Sequence, residues 1–107
     1  MAYEIKIPNE KFEKRYKNIL ITVERNKEHP EYINIYIKVP ERNVEFYTFR
    51  PCYDIVKSLY KNIDTWYNEI ASRIWSEANE KLIRFNLLLE EDVKEEIKNI
   101  LKNYHIL

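Results

Sequence analysis

The sequence predicts an α+β fold: a three- to four-stranded antiparallel sheet in the N-terminal half, packed by two or three C-terminal helices. Three observations carry this. An aliphatic residue falls at every second position of Tyr32–Val39, the period-2 mark of a half-buried strand. Residues 44–49 follow after the four-residue connection 40–43 and read as the next strand, whose pairing with Tyr32–Val39 closes a hairpin of chemically matched neighbours. Beyond Pro51 the apolar residues recur at intervals of three and four, the period of an amphipathic helix.

The 107 residues fit one domain over 1–107, long enough to bury a core without staples. The 18 basic and 18 acidic residues cancel, so no global field draws the chain to nucleic acid or an anionic membrane. No apolar run approaches the roughly 18 to 20 residues that span a bilayer, and Met-Ala-Tyr-Glu-Ile-Lys at the start has no apolar signal core. A cytoplasmic protein with no membrane partner is expected. The chain has no Gly, which excludes the phosphate-cradling loops G-x-G-x-x-G and G-x-x-x-x-G-K-[ST] and the nucleophile elbow G-x-S-x-G. Turns that need positive φ must then fall to Asn, with Asn26 and Asn43 suitably placed. Cys52 is the lone cysteine, so it reads as a buried structural thiol.

In chain order, Tyr3, Ile5 and Ile7 alternate with Glu4 and Lys6 before Pro8, a short edge strand over 3–7. Asn9 can cap a helix over 10–17, where Phe12 and Tyr16 stand four apart. Ile19, Ile21 and Val23 alternate with Leu20, Thr22 and Glu24, a strand over 19–25, and the polar residues 25–31 form a loop around Pro30. Pairing Val39 with Val44 sets Ile37 beside Phe46, Tyr36 beside Tyr47 and Lys38 beside Glu45. A one-residue slip would set Lys38 beside Phe46, so the register is well specified.

Pro51 reads as a first helical position, followed by Ile55, Val56, Leu59 and Tyr60 at helical spacing. Asp64 then suits the cap of the next helix, whose stripe is Ile63, Tyr67, Ile70, Ile74, Ala78, Leu82, Phe85 and Leu89. One helix over 65–88 would be about 36 Å long, roughly the diameter of a compact chain of this size. It is expected to break near Asn79 or to project toward another copy. Val93, Ile97, Ile100, Leu101 and Tyr104 mark a last helix, with Glu90, Glu91 and Asp92 at its start and Lys102 near its end.

Catalytic constellations are not evident. His29 and His105 are far apart with no ligand spacing. The triplets Glu4-Ile5-Lys6 and Glu96-Ile97-Lys98 spell the Glu-x-Lys ending of many metal-dependent nucleases, but in a chain this rich in Glu, Ile and Lys they are expected by chance. No enzyme activity, metal or cofactor is therefore assigned. Three sets of residues could bind instead. Tyr32, Tyr36, Lys38, Tyr47 and Phe49 share the outward face of the sheet; aromatics interleaved with cations stack single-stranded nucleic acid, while exposed aromatic patches also mark protein partners. A covering helix would abolish either use. Lys11, Lys14, Arg15 and Lys17 would line the solvent side of a helix as a basic patch. Trp66 and Trp75 flank the long stripe and are candidates for self-association.

In its Ile (15), Lys (12), Asn (11) and Tyr (9) usage, and in stretches such as Tyr-Ile-Asn-Ile-Tyr-Ile-Lys at 32–38 and Lys-Glu-Glu-Ile-Lys-Asn-Ile-Leu-Lys-Asn-Tyr at 94–104, the chain resembles the small orphan proteins of crenarchaeal filamentous and rod-shaped viruses. The resemblance implies a role inside an infected cell, in the host cytoplasm, as a regulator, a host-defence inhibitor or a nucleic-acid handler. The expected function is a non-enzymatic protein-interaction protein, self-associating as a homo-oligomer. The alternative is a small nucleic-acid binder using the sheet face and the basic segment.

Overall fold

A computed structural model describes residues 11–104. Four strands, β1 (Phe12–Tyr16), β2 (Ile19–Arg25), β3 (Tyr32–Val39) and β4 (Val44–Pro51), form an antiparallel meander whose order in the sheet is the order in the chain. A short helix α1 (Tyr53–Val56) and a 3-10 turn over Lys57–Leu59 lead into α2 (Ile63–Leu82). A second 3-10 turn, Ile83–Phe85, precedes α3 (Asp92–Tyr104). The predicted α+β class and the division into an N-terminal sheet and C-terminal helices hold. The strand expected over 3–7 lies outside the described residues.

The hairpin of β3 and β4 has the predicted register, with Val39 opposite Val44, Ile37 opposite Phe46, Tyr36 opposite Tyr47 and Lys38 opposite Glu45. One face of these strands is buried, so a slip would expose every Ile and Val at once. The helix expected over 10–17 is instead strand β1, with Phe12 opposite Val23 and Tyr16 opposite Ile19. Residues four apart share a face in a strand as well as in a helix, and here the tight turn at residues 17–18 folds the segment back onto β2. Lys17 closes that turn at φ 56°, a left-handed conformation costing a non-glycine residue about 1–2 kcal/mol. Asn43 and Asn86 take the same conformation at φ 52° and 58°. Asn26 does not; its Oδ1 accepts from the Glu28 and His29 amides at 3.0 and 2.9 Å, closing a side-chain turn.

Pro51 ends β4 rather than starting a helix, because the Cys52 amide donates to the Glu31 carbonyl at 2.8 Å and keeps the chain in the sheet. At the start of α2 the cap is Asn62, whose Oδ1 accepts from the Thr65 amide at 2.9 Å, and Asp64 sits in the first turn. The long stripe does break. α2 ends at Leu82, three residues beyond Asn79, whose Oδ1 accepts from the Leu89 amide at 2.7 Å and so pins the chain on its return.

α2 and α3 lie over one face of the sheet. Ile19, Ile21, Val23, Ile33, Ile35, Ile37, Val39, Val44 and Phe46 pack there against Trp66, Tyr67, Ile70, Ile74, Ala78 and Leu82 of α2 and Val93, Ile97, Ile100, Leu101 and Tyr104 of α3. Each Val, Leu, Ile or Phe among them contributes about 1.5–3 kcal/mol on burial. Polar contacts fix the helices laterally. Arg50 of β4 pairs with Glu77 of α2, and Lys14 of β1 pairs with Glu96 of α3.

The β1–β2 turn is tied to the start of α3. Tyr16 Oη donates to Asp92 Oδ2 at 2.7 Å, Lys17 Nζ donates to the same oxygen at 2.8 Å, and Lys17 also pairs with Glu90. The hydrogen bond from Lys17, then that from Tyr16, holds the Asp92 carboxyl below the usual carboxylate range, and the same contacts push Lys17 up. A carboxyl depressed in the folded state contributes stability above its unfolded pKa and loses it as pH falls through the folded value. The melting temperature is therefore expected to fall more steeply below about pH 4 in the native chain than in Asp92→Asn, as read by thermal denaturation across an acid pH series.

Candidate functional site

Strand alternation decides what the sheet shows on its other side. With Ile33, Ile35 and Ile37 committed to the core, Tyr32, Asn34, Tyr36 and Lys38 of β3 point away from the helices, together with Glu45, Tyr47 and Phe49 of β4. Leu20, Thr22 and Glu24 of β2 and Glu13 and Arg15 of β1 complete this outer face. Among the described residues no helix covers it. Tyr47 is 45% exposed and Phe49 52% exposed, while Tyr32 and Tyr36 are half-buried against them.

The four rings form one continuous patch. Tyr36 and Tyr47 lie 5.0 Å apart between centroids, Tyr47 and Phe49 6.4 Å, and Tyr32 meets Phe49 edge-on at 5.6 Å. These separations are those at which aromatic pairs gain about 0.5–1.5 kcal/mol beyond their area, so the patch is pre-ordered. Under it lies a small polar network. Asn34 is buried, and its Oδ1 accepts from Tyr47 Oη at 3.2 Å and from Asn26 Nδ2 at 3.3 Å. Thr22, also buried, donates to Glu13 Oε2 at 3.2 Å. Burial, and then the Glu24 carboxylate that it hydrogen-bonds, raises the Tyr36 phenol above its ordinary value.

The charges on this face are mixed. Arg15 and Lys38 are its cations, and Glu13, Glu24 and Glu45 its acids. Phosphate binding needs cations in excess, and this face does not supply them.

The basic patch is dispersed rather than assembled. On a strand, Lys14 points to the helix side and Arg15 to the outer side, so the two cannot share a surface. Lys14 is paired with Glu96, Lys17 with Glu90 and Asp92, and Lys11 with Glu13 at 3.7 Å.

The two tryptophans also separate. Trp66 is 1% exposed in the core, its ring 5.6 Å from Tyr53 and 5.1 Å from Tyr67, so no partner can reach it. Trp75 is half-buried; its Nε1 donates to the Glu90 carbonyl at 3.0 Å and Lys94 Nζ lies 4.7 Å from its ring. It braces the connection into α3. Away from the sheet, exposed apolar side chains among the described residues lie at Ile55 and Leu59 before α2 and at Ile83, Phe85 and Leu88 after it.

Cys52 is buried, and burial raises its thiol, with Arg25 Nη1 3.6 Å away acting in the opposite direction. His29 is exposed beside Glu31, with Nδ1 3.5 Å from the carboxylate. Glu4 and His105 lie outside the described residues, and Glu96 stands on a helix in its pair with Lys14. Among the described residues no group of three or more His, Cys, Asp or Glu is placed to hold a metal ion, and no helix is long and apolar enough to cross a membrane. Comparison with known protein families, with curated proteins and with solved structures gives no match.

Proposed function

We propose that the chain is a non-enzymatic protein-interaction protein that docks a partner protein on the outer face of its sheet and also associates with itself. The observation that carries this is the aromatic patch Tyr32, Tyr36, Tyr47 and Phe49 on a sheet face that no described helix covers. Pre-ordered aromatics surrounded by charges of both signs are the composition of a protein interface. A nucleic-acid groove would add a surplus of cations tracking a backbone, and here Lys14 and Lys17 are tied to acids. The resemblance to crenarchaeal viral proteins supports placing the role in the cytoplasm of an infected cell, as a regulator or inhibitor of a host factor.

The test is capture from a nuclease-treated cell extract, comparing the native chain with Tyr47→Ser/Phe49→Ser. The double variant gives up the ring contacts and the bond from Tyr47 to Asn34, so it should melt lower yet remain folded at the temperature of capture, which circular dichroism checks. A partner held by the native chain and weakened at least about tenfold by the double variant is the expected result. Retention unchanged by the variant, or salt-sensitive shifting of a single-stranded oligonucleotide that the variant abolishes, would replace this reading with the nucleic-acid alternative or with another surface.

A further inference from the structure

The register of the strands lays the outer sheet face out in rows. Arg15, Leu20, Lys38 and Glu45 stand side by side across the four strands, then Glu13, Thr22, Tyr36 and Tyr47, then Glu24, Asn34 and Phe49 of the last three. The face therefore has two unlike halves. On β3 and β4 the rings of Tyr32, Tyr36, Tyr47 and Phe49 make a ridge. On β1 and β2 the outer positions carry no ring, and the central ones, Leu20 and Thr22, lie half-buried and buried.

The charges on this face balance within each half. Arg15 and Lys11 offset Glu13 and Glu24 on one, Lys11 being paired with Glu13, and Lys38 offsets Glu45 on the other. Lys81 reaches the rim from α2, where its Nζ donates to the Glu45 carbonyl rather than to the carboxylate. Arg15 and Glu45 stand at opposite ends of their row, about 14 Å apart at about 4.8 Å per strand, so they cannot pair within one molecule. Neither makes an ion pair among the described residues. A neutral face with opposite charges at its opposite edges can meet a copy of itself.

Sheets pack face to face about 10 Å apart with strands within about 30° of parallel. A two-fold axis across the strands would set Glu13 against Glu13 and ridge against ridge. An axis along the strands, between β2 and β3, sets β1 of one copy over β4 of the other and β2 over β3. Arg15 then meets the second copy's Glu45, once at each edge, and the ridge of Tyr36 and Tyr47 lies over Thr22 and Glu13. We propose that two copies pair through their outer sheet faces about this axis, and that the dimer and the docked partner exclude each other. This rests on the partner docking and self-association read above, and makes the first depend on the second. A two-fold contact is closed, so growth stops at the dimer. Strands of five to eight residues give the face a plan area of about 400 Å², about half the roughly 800 Å² that each partner gives to a standard interface. The dimer is therefore weak, forms as concentration rises, and yields to a partner that binds more tightly.

Sedimentation from micromolar to millimolar concentration tests it, with circular dichroism to check that each variant folds. The weight-average mass of the native chain should rise and level off at the dimer. Arg15→Glu and Glu45→Arg, both at exposed sites, each set like charges together at both edges and should dimerise at least about tenfold more weakly. An equimolar mixture of the two should regain native association, because opposite charges then meet at both edges of the mixed dimer. The complex with a captured partner should hold one copy of the chain per partner, and two copies would overturn the exclusion. A mixture no tighter than its parts, a single variant that dimerises as the native chain does, or a mass that climbs past the dimer would overturn the arrangement. So would a mass curve untouched by Tyr47→Ser/Phe49→Ser, which would place self-association on another surface. A native chain monomeric throughout would overturn the dimer while leaving docking intact, and a dimer with no captured partner would keep the dimer and overturn the docking.

Discussion

Trp66→Ala should cost about 3–5 kcal/mol and lower the melting temperature by on the order of 15 °C or more, measured by thermal and urea denaturation. The indole is 1% exposed and lies between the rings of Tyr53 and Tyr67. Removing it opens a cavity where α1, α2 and the end of β4 meet. Trp66 stands on α2, which is fixed along its length by Tyr67, Ile70, Ile74, Ala78 and Leu82 in the core, so the helix cannot shift to close the hole cheaply. Trp66→Phe, which restores most of the volume, should recover much of the loss. A change below about 1 kcal/mol in the alanine variant would show that this corner carries little of the stability.

Asn79→Ala is the second large effect expected. Its Oδ1 accepts from the Leu89 amide at 2.7 Å, and Leu89 is itself buried. Losing the acceptor leaves a backbone N–H unsatisfied in a partly buried place, at a cost of about 1–3 kcal/mol. Asn79→Asp keeps an oxygen in position and should be much milder. Limited proteolysis provides the local readout: cleavage within residues 83–91 should accelerate in the alanine variant and not in the aspartate one. Equal cleavage in both would mean that this bond does not hold the connection.

What could be read in the chain and what could not follows from how many physical signals each segment carried. β3 and β4 were legible because alternation, cross-strand chemistry and one buried face all demanded the same register. β1 was not. Phe12 and Tyr16 satisfy a period of two and a period of 3.6 equally, and the deciding turn puts Lys17, a poor left-handed residue, where Gly or Asn is the usual signal. The basic patch was lost with that helix.

Trp66 and Trp75 stand nine apart, about two and a half turns of helix, so they lie on opposite flanks of the stripe, and the spacing does not say which flank the neighbouring elements bury. Phe85 extends the long stripe by its spacing yet stands outside the core, because the chain turns at Asn86. That Asn between apolar residues was the available sign of a left-handed stop. The openness of the outer sheet face belonged to no segment of sequence. It follows from both long helices crossing to the same side, where their apolar stripes meet the row of Ile and Val.

The meander has a bearing on how the molecule comes into being. Because sheet order follows chain order, each strand finds its partner across residues 17–18, 26–31 or 40–43, and short closures are entropically cheap. Such local pairing favours fast folding, with hairpins forming on a scale of about microseconds. The sheet can thus assemble while the segment after Pro51 is still unpacked. During that interval the row Ile33, Ile35 and Ile37 faces water, and nothing on the sheet's own strands shields it. Early sheet formation makes prompt docking of α2 and α3 the step that separates folding from aggregation.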